Sequence, residues 1–176
     1  TGDHKDTAYA IAKELGIVKE KNEVVDGAFL DQFTDAELCL EVRKYSVYTR
    51  VTPEHKVRIV TALKNNGNVV AMTGDGVNDA PSIKSADIGI GMGITGTEVT
   101  KEVADMVLTD DNFATIVVAV EEGRKIYANI QKTVKFLLGS NISEVLTLLI
   151  CTIAFPQVAF LSAVQILFIN LISDSL

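Results

Sequence analysis

The chain has 176 residues, 48% hydrophobic and 22% charged, with a formal net charge of −7 at pH 7. That length allows one full domain, or one domain with an appendage. Residues 1–131 carry 14 basic against 21 acidic side chains, which excludes a nucleic-acid surface. All 16 Lys and Arg lie at or before Lys135, and the last 41 residues hold only Glu144 and Asp174 as ionisable acids. Cys39 and Cys151 stand alone, with neither metal spacing nor a disulfide framework, which suits a reducing compartment. The chain starts without Met inside a motif and stops inside an apolar run, so both ends read as cut and the chain as a fragment.

Thr1-Gly2-Asp3 opens the chain, followed by Thr7 to Leu15 with apolar residues at helical spacing and Gly16 as the C-terminal stop. Alone, Thr1 and Asp3 would be helix caps. Residues 19–45 are acidic and irregular, with a short helix start at Asp35-Ala36-Glu37-Leu38 and no chemistry. Ser46 to Val51 reads as a strand, and Thr52-Pro53 starts a helix that runs to Asn65-Asn66-Gly67. Within it, Lys56 opposes the helix dipole and would ordinarily be solvated, yet a cation there could steady a phosphorylated carboxylate. His55 reads as a surface residue without a partner.

Val69 to Met72 is an apolar run like a buried strand. It leads into Thr73-Gly74-Asp75-Gly76-Val77-Asn78-Asp79-Ala80-Pro81, two glycines, two carboxylates and an amide within six positions. Unpaired carboxylates are costly away from water, and a strand-end loop usually serves a ligand, so this stretch reads as a Mg²⁺ and phosphate site. Thr-Gly-Asp occurs at both 1–3 and 73–75, which suggests two turns sharing a pocket at the carboxyl edge of a parallel sheet. A helix from Asn78 to Lys84, a strand over 87–93, a helix from Thr97 to Ala104 and a strand over 106–109 follow. Asp110-Asp111-Asn112 caps the next element. The glycines of 87–93 alternate along an apolar strand rather than opening a helix, so they make no dinucleotide fingerprint. Alternating strands and helices predict an α/β fold with a parallel sheet.

From Phe113 the helical pattern runs without a break to Phe155, about 60 Å at 1.5 Å per residue. Its first half is polar and its second, 136–155, mostly apolar. Phe155-Pro156-Gln157 interrupts it before a second apolar run from Val158 to Ile172, so the pair predicts a transmembrane hairpin. Lys125, Lys132 and Lys135 precede the first span and place that side in the cytoplasm. A buried helical pair is the soluble alternative. Asn141 and Glu144 share one helix face, and Asn170, Ser173 and Asp174 share another. An Asp at a span centre costs about 2.5–3.5 kcal/mol on insertion scales, so these residues read as a hard-cation site. Interhelical hydrogen bonding would account for Ser140 and Ser143 but not for two carboxylates.

Together these residues resemble the P-type cation-transporting ATPases, and among them the Ca²⁺ pumps of the sarcoplasmic-reticulum type and their bacterial relatives. The motif 73–81 carries the resemblance, with Thr1-Gly2-Asp3, Arg50 to Lys56, Asp110 to Phe113 and Glu121 to Arg124 in matching order and spacing. It implies that residues 1–112 are the second part of a phosphorylation domain in the haloacid-dehalogenase-like fold. Residues 113–155 would be the stalk and fifth transmembrane helix, and 158–176 the start of the sixth. It further implies that Asp75 and Asp79 hold Mg²⁺, that Thr1, Gly2, Asp3, Lys56, Asn78 and Asp79 serve phosphoryl transfer, and that Gly74 and Gly76 lie against the bound cofactor. Asn141, Glu144, Asn170, Ser173 and Asp174 would ligate the transported cation, best Ca²⁺, since Asn170 stands where sodium–potassium pumps tend to carry aspartate.

The family's nucleophilic Asp-Lys-Thr-Gly motif does not occur in the chain. The resemblance therefore implies that the nucleophile, most of the ATP site and the fourth membrane helix belong to other domains of a parent pump in the lipid membrane. The chain alone is expected to be inactive. A soluble phosphatase of the same fold and a non-catalytic remnant are the alternatives.

Overall fold

The computed structural model describes residues 1–157 and 162–175, the side chains at 163 and 173–175 apart. Two compact units divide the chain, Thr1–Phe113 and Ala114–Leu176.

In the first unit, helix α1 (Lys5–Glu14) buries Ala8 and Ala12 and turns out at Gly16, whose φ of +71° is the left-handed geometry a helix stop favours. Strand β1 (Val24–Asp26) and the single-turn helix α2 (Gly27–Leu30) follow, and then α3 (Asp35–Glu41). The stretch 19–45 is therefore not irregular, as its composition had suggested. Val24 and Val25 are almost fully buried because they pair in parallel register with Val47 and Tyr48 of β2 (Val47–Thr49). No local pattern announces a two-valine strand in an acidic stretch. The expected helix start at Asp35 is present, closed by a Thr34–Glu37 capping box.

Helix α4 (Pro53–Asn65) begins with Thr52 as cap and proline in the first turn. It packs on a core of Val25, Leu30, Leu38, Val42 and Ala62. Leu30 and Leu38 are each 1% exposed, which is worth about 1.5–3 kcal/mol per side chain against full exposure. Strand β3 (Ala71–Gly74), helix α5 (Ala80–Ser85), strand β4 (Ile88–Met92), helix α6 (Glu98–Val103) and strand β5 (Met106–Leu108) complete the unit. Asn78 lies in a 3₁₀ turn over Val77–Asp79 ahead of α5, rather than starting the helix. Every described strand pairing is parallel, β1 with β2 and, separately, β3 with β4 and β4 with β5. This is the expected α/β arrangement, divided into a two-stranded and a three-stranded sheet.

The second unit is dominated by helix α7 (Phe113–Ala154), 42 unbroken residues or about 63 Å. Gly123 and Gly139 do not interrupt it. Among the described residues it is the one helix long and apolar enough to cross a membrane. Ile142, Ile150 and Ile153 are more than half exposed, as side chains facing lipid would be. The helix ends where Phe155 N–H donates to the Cys151 carbonyl, and Pro156 and Gln157 turn away. Helix α8 (Ala163–Ser175) begins behind Ser162 and continues past the expected limit at Ile172. The start of the predicted second span, 158–161, lies outside the described residues.

Candidate active site and membrane cation site

Strand β3 delivers Gly74 and Asp75 to the carboxyl edge of its sheet, where open α/β sheets place their ligands. The two carboxylates of the loop take different environments. Asp79 is 8% exposed and both its oxygens are engaged: Lys56 Nζ donates to Oδ1 at 2.5 Å, and Gly76 N–H donates to Oδ2 at 3.3 Å. Asp75 is exposed, and its carboxylate has no hydrogen-bond or ion-pair partner among the described residues. Lys56, an unfavourable charge in the first turn of α4, is thus explained by the acid it meets 23 residues along the chain. Gly74 is required by proximity: a Cβ there would lie 2.4 Å from Asp79 Cβ and 2.8 Å from its Cγ. Asn78 is exposed beside them.

Thr1 reaches the same place from β2. Its backbone amino group donates to the Tyr48 carbonyl at 2.8 Å, and Arg50 N–H donates to its carbonyl at 2.8 Å, so residue 1 lies alongside the carboxyl end of that strand. Thr1 Oγ1 donates to Asp3 Oδ2 at 2.7 Å. A cavity of about 420 Å³ separates β2 from β3 and is lined by Thr1, Tyr48, Ile59, Val60, Met72 and Thr73, with Lys56 at its polar side. The structure therefore brings Thr1, Lys56 and Thr73 together around the cavity between the two sheets, and Lys56 ties that cavity to the 75–79 loop through Asp79. Gly2 has open space around it, and Asp3 serves the Thr1 hydroxyl.

His55, expected at the surface, is 7% exposed. Its Nδ1 accepts from Thr52 N–H at 3.2 Å and its Nε2 lies 2.7 Å from Asp31 Oδ1, so it ties the α4 cap to α2. The capping geometry at the third helical position was a legible signal for this role.

The donor set fits a hexacoordinate Mg²⁺. Such an ion keeps several waters and takes one or two carboxylates plus phosphate oxygens. The free Asp75 carboxylate meets that requirement. Among the described residues no three His, Cys, Asp or Glu side chains gather into a full protein cage.

In the second unit Asn141 and Glu144 stand three residues apart on α7. Glu144 Oε1 is buried and has no hydrogen-bond partner among the described residues, a costly state for a carboxylate oxygen. Asn170 is half-buried on α8, while the side chains of Ser173 and Asp174 lie outside the described residues. Arg124, Lys125, Lys132 and Lys135 precede the apolar half of α7 and put residues 1–135 on the cytoplasmic side of the membrane.

Known proteins match this chain in sequence and fold. A family profile described as haloacid dehalogenase-like hydrolase fits residues 1–87. "Calcium-transporting ATPase 1" of Bacillus cereus is 56% identical along the whole chain, which spans 20% of that protein. "P-type sodium-transporting ATPase4" of Toxoplasma gondii is 50% identical over 99% of the chain, which spans 14% of it. A zinc-transporting PIB-type ATPase, solved in its E2·Pi state, superposes with a TM-score of 0.65 at 31% identity, covering 99% of this chain and 22% of that one. With a haloacid-dehalogenase-like unit, a membrane-length helix and high identity end to end, the chain belongs to the P-type cation-transporting ATPases and spans about one fifth of the length of its Bacillus relatives.

Proposed function

We propose that the chain is the segment of an ATP-driven Ca²⁺ pump that supplies the acids of the Mg²⁺ and phosphate site and part of the intramembrane cation site. The observation that carries this reading is the contrast between two carboxylates four residues apart. Asp79 is neutralised by Lys56, whereas Asp75 is left bare at the sheet edge.

Asp75 holds Mg²⁺, with Asn78 and the Asp79 edge in support, and the backbone of Gly74 and Gly76 lies against the bound group. Bound Mg²⁺ supplies charge neutralisation for the phosphoryl oxygens. Lys56 adds a second positive charge, and the Thr1 hydroxyl, whose proton goes to Asp3 Oδ2 here, would turn that proton to a phosphoryl oxygen once one is bound. Positioning and charge are the main catalytic demands of phosphoryl transfer, so these groups suffice for this side of the site. The nucleophilic carboxylate and most of the ATP contacts come from segments outside residues 1–176. The cavity between β2 and β3 is where such a segment fits, since its walls are apolar and its rim carries Lys56.

The Glu144 oxygen, without a partner among the described residues, supports a cation site on α7, completed by Asn141, Asn170, Ser173 and Asp174. Oxygen ligands of this kind suit Ca²⁺. The unbroken α7 joins the two sites in sequence, so a tilt of the helix moves its ion ligands.

The test is ATP-driven ion uptake by vesicles containing the full-length pump, with Ca²⁺ and Na⁺ compared. Asp75→Asn should abolish phosphoenzyme formation, and Glu144→Gln should weaken Ca²⁺ activation while leaving phosphorylation from inorganic phosphate. Normal phosphoenzyme in the first variant, or uptake of Na⁺ in place of Ca²⁺, would overturn the corresponding assignment.

A further inference from the structure

Asp111 belongs to the Asp110–Phe113 stretch but has no role in the site described above, yet its carboxylate accepts four hydrogen bonds. It accepts Gly93 N–H at 2.6 Å and Ile94 N–H at 3.1 Å on Oδ1, and Thr95 N–H at 2.7 Å and the Thr95 hydroxyl at 2.8 Å on Oδ2. Three successive amides form a concavity for an anion, and here the protein's own side chain fills it. Asp111 has φ of +48°, a conformation that residues other than glycine rarely take. Desolvation pushes its carboxyl up, but the amides of Ile94, Thr95 and Gly93 and the Thr95 hydroxyl outweigh it and hold the pKa at about 2.

The clamped turn leads directly to the metal-site loop. Gly96 passes so close to the Met92 carbonyl that a Cβ has no room, and Thr97 N–H then donates to the Asp75 carbonyl at 2.9 Å. The fully buried Thr100 places its hydroxyl 2.7 Å from the Thr97 carbonyl and 3.5 Å from that of Asp75. The peptide joining Asp75 to Gly76 is consequently held on both sides. Its C=O is gripped by Thr97, and its N–H by Asp79 Oδ2. Since the Asp75 side chain has no partner among the described residues, this peptide sets its aim.

We propose that Asp111 is a positioning residue for phosphoryl transfer: by clamping residues 93–95 it fixes Thr97 against the Asp75 carbonyl and so aims the metal-binding carboxylate. The role rests on the assignment of Mg²⁺ to Asp75 made above. It is distinct from capping the helix that follows.

The experiment uses the 176-residue chain in detergent micelles with Mn²⁺ as the probe, its affinity read by electron paramagnetic resonance. Backbone amide shifts of 74–76 are recorded without metal. Asp111→Asn should move those amide shifts and weaken Mn²⁺ binding about 3- to 10-fold, less than the 10–100-fold typical of a partner touching the ligand itself. Thr95→Val, which removes one of the four donors, should do the same more weakly and serves as the judge where Asp111→Asn does not fold. Variants that melt earlier but keep wild-type shifts at 74–76 and wild-type Mn²⁺ affinity would overturn the proposal and leave Asp111 a purely structural clamp. Asp75→Asn separates the two readings. If it binds Mn²⁺ as well as the wild type, the metal assignment fails, while the amide shifts alone decide whether Asp111 controls the loop.

Discussion

Replacing Lys56 with methionine tests the division of labour between the two loop carboxylates. The substitution keeps most of the side chain's length and removes the charge that meets Asp79 Oδ1 at 2.5 Å. Breaking a fully buried ion pair costs about 3–5 kcal/mol, and an exposed pair is worth about 0–1 kcal/mol. The Lys56 side chain is 29% exposed and that of Asp79 12%, which sets this pair between those limits. A hydrogen bond to a charged group contributes about 1.5–3 kcal/mol, and solvent screening on the lysine side brings the expected loss to about 2 kcal/mol. Urea unfolding followed by tyrosine fluorescence measures it, since the chain has four tyrosines and no tryptophan. A double-mutant cycle with Asp79→Asn should return a coupling of about 1 kcal/mol or more, whereas Asp75→Asn alone should stay within about 0.5 kcal/mol of wild type. A coupling below about 0.3 kcal/mol, inside the range of simple additivity, would refute the claim that Lys56 holds Asp79. A large loss from Asp75→Asn would refute the claim that Asp75 is free.

Two further outcomes follow from the same geometry. Gly74→Ala drives a methyl group into the Cβ and Cγ of Asp79, atoms near the backbone that cannot swing aside, and should cost about 1–3 kcal/mol in thermal unfolding; an unchanged melting temperature would mean that the loop is looser than it is drawn here. Burial of Tyr48 raises its phenol to about 12. The protonated form is thus favoured by folding, and the stability it contributes is complete below about 10 and lost as pH rises from there to about 12. Tyr48→Phe should flatten that alkaline limb, and an unaltered limb would place its cause elsewhere.

Most secondary elements were legible because their signals are local. The proline and threonine at the start of α4, the glycine after α1 and the absence of breakers through α7 each act within a few residues. Strand β1 escaped notice because Val24 and Val25 become a strand only by pairing with β2, more than twenty residues later. His55 escaped for a similar reason: its neighbours in sequence gave no sign of Asp31. In sequence Asp111 is only a helix cap, since nothing in Asp110-Asp111-Asn112 indicates that three amides of the turn at 93–95 converge on it.

The sequence by itself determined the family and the chemistry on offer: a strand-end loop rich in carboxylates, a lysine near it, and an apolar helix with an acid at membrane depth. These depend on residue type and spacing, which survive without a structure. Only the tertiary structure decided which carboxylate is neutralised and which is free. That outcome depends on where the first turn of α4 meets the end of β3, and ion pairing falls off within a few ångströms. Lys56 reaches Asp79 and not Asp75, so two acids of the same type in one motif acquire different tasks.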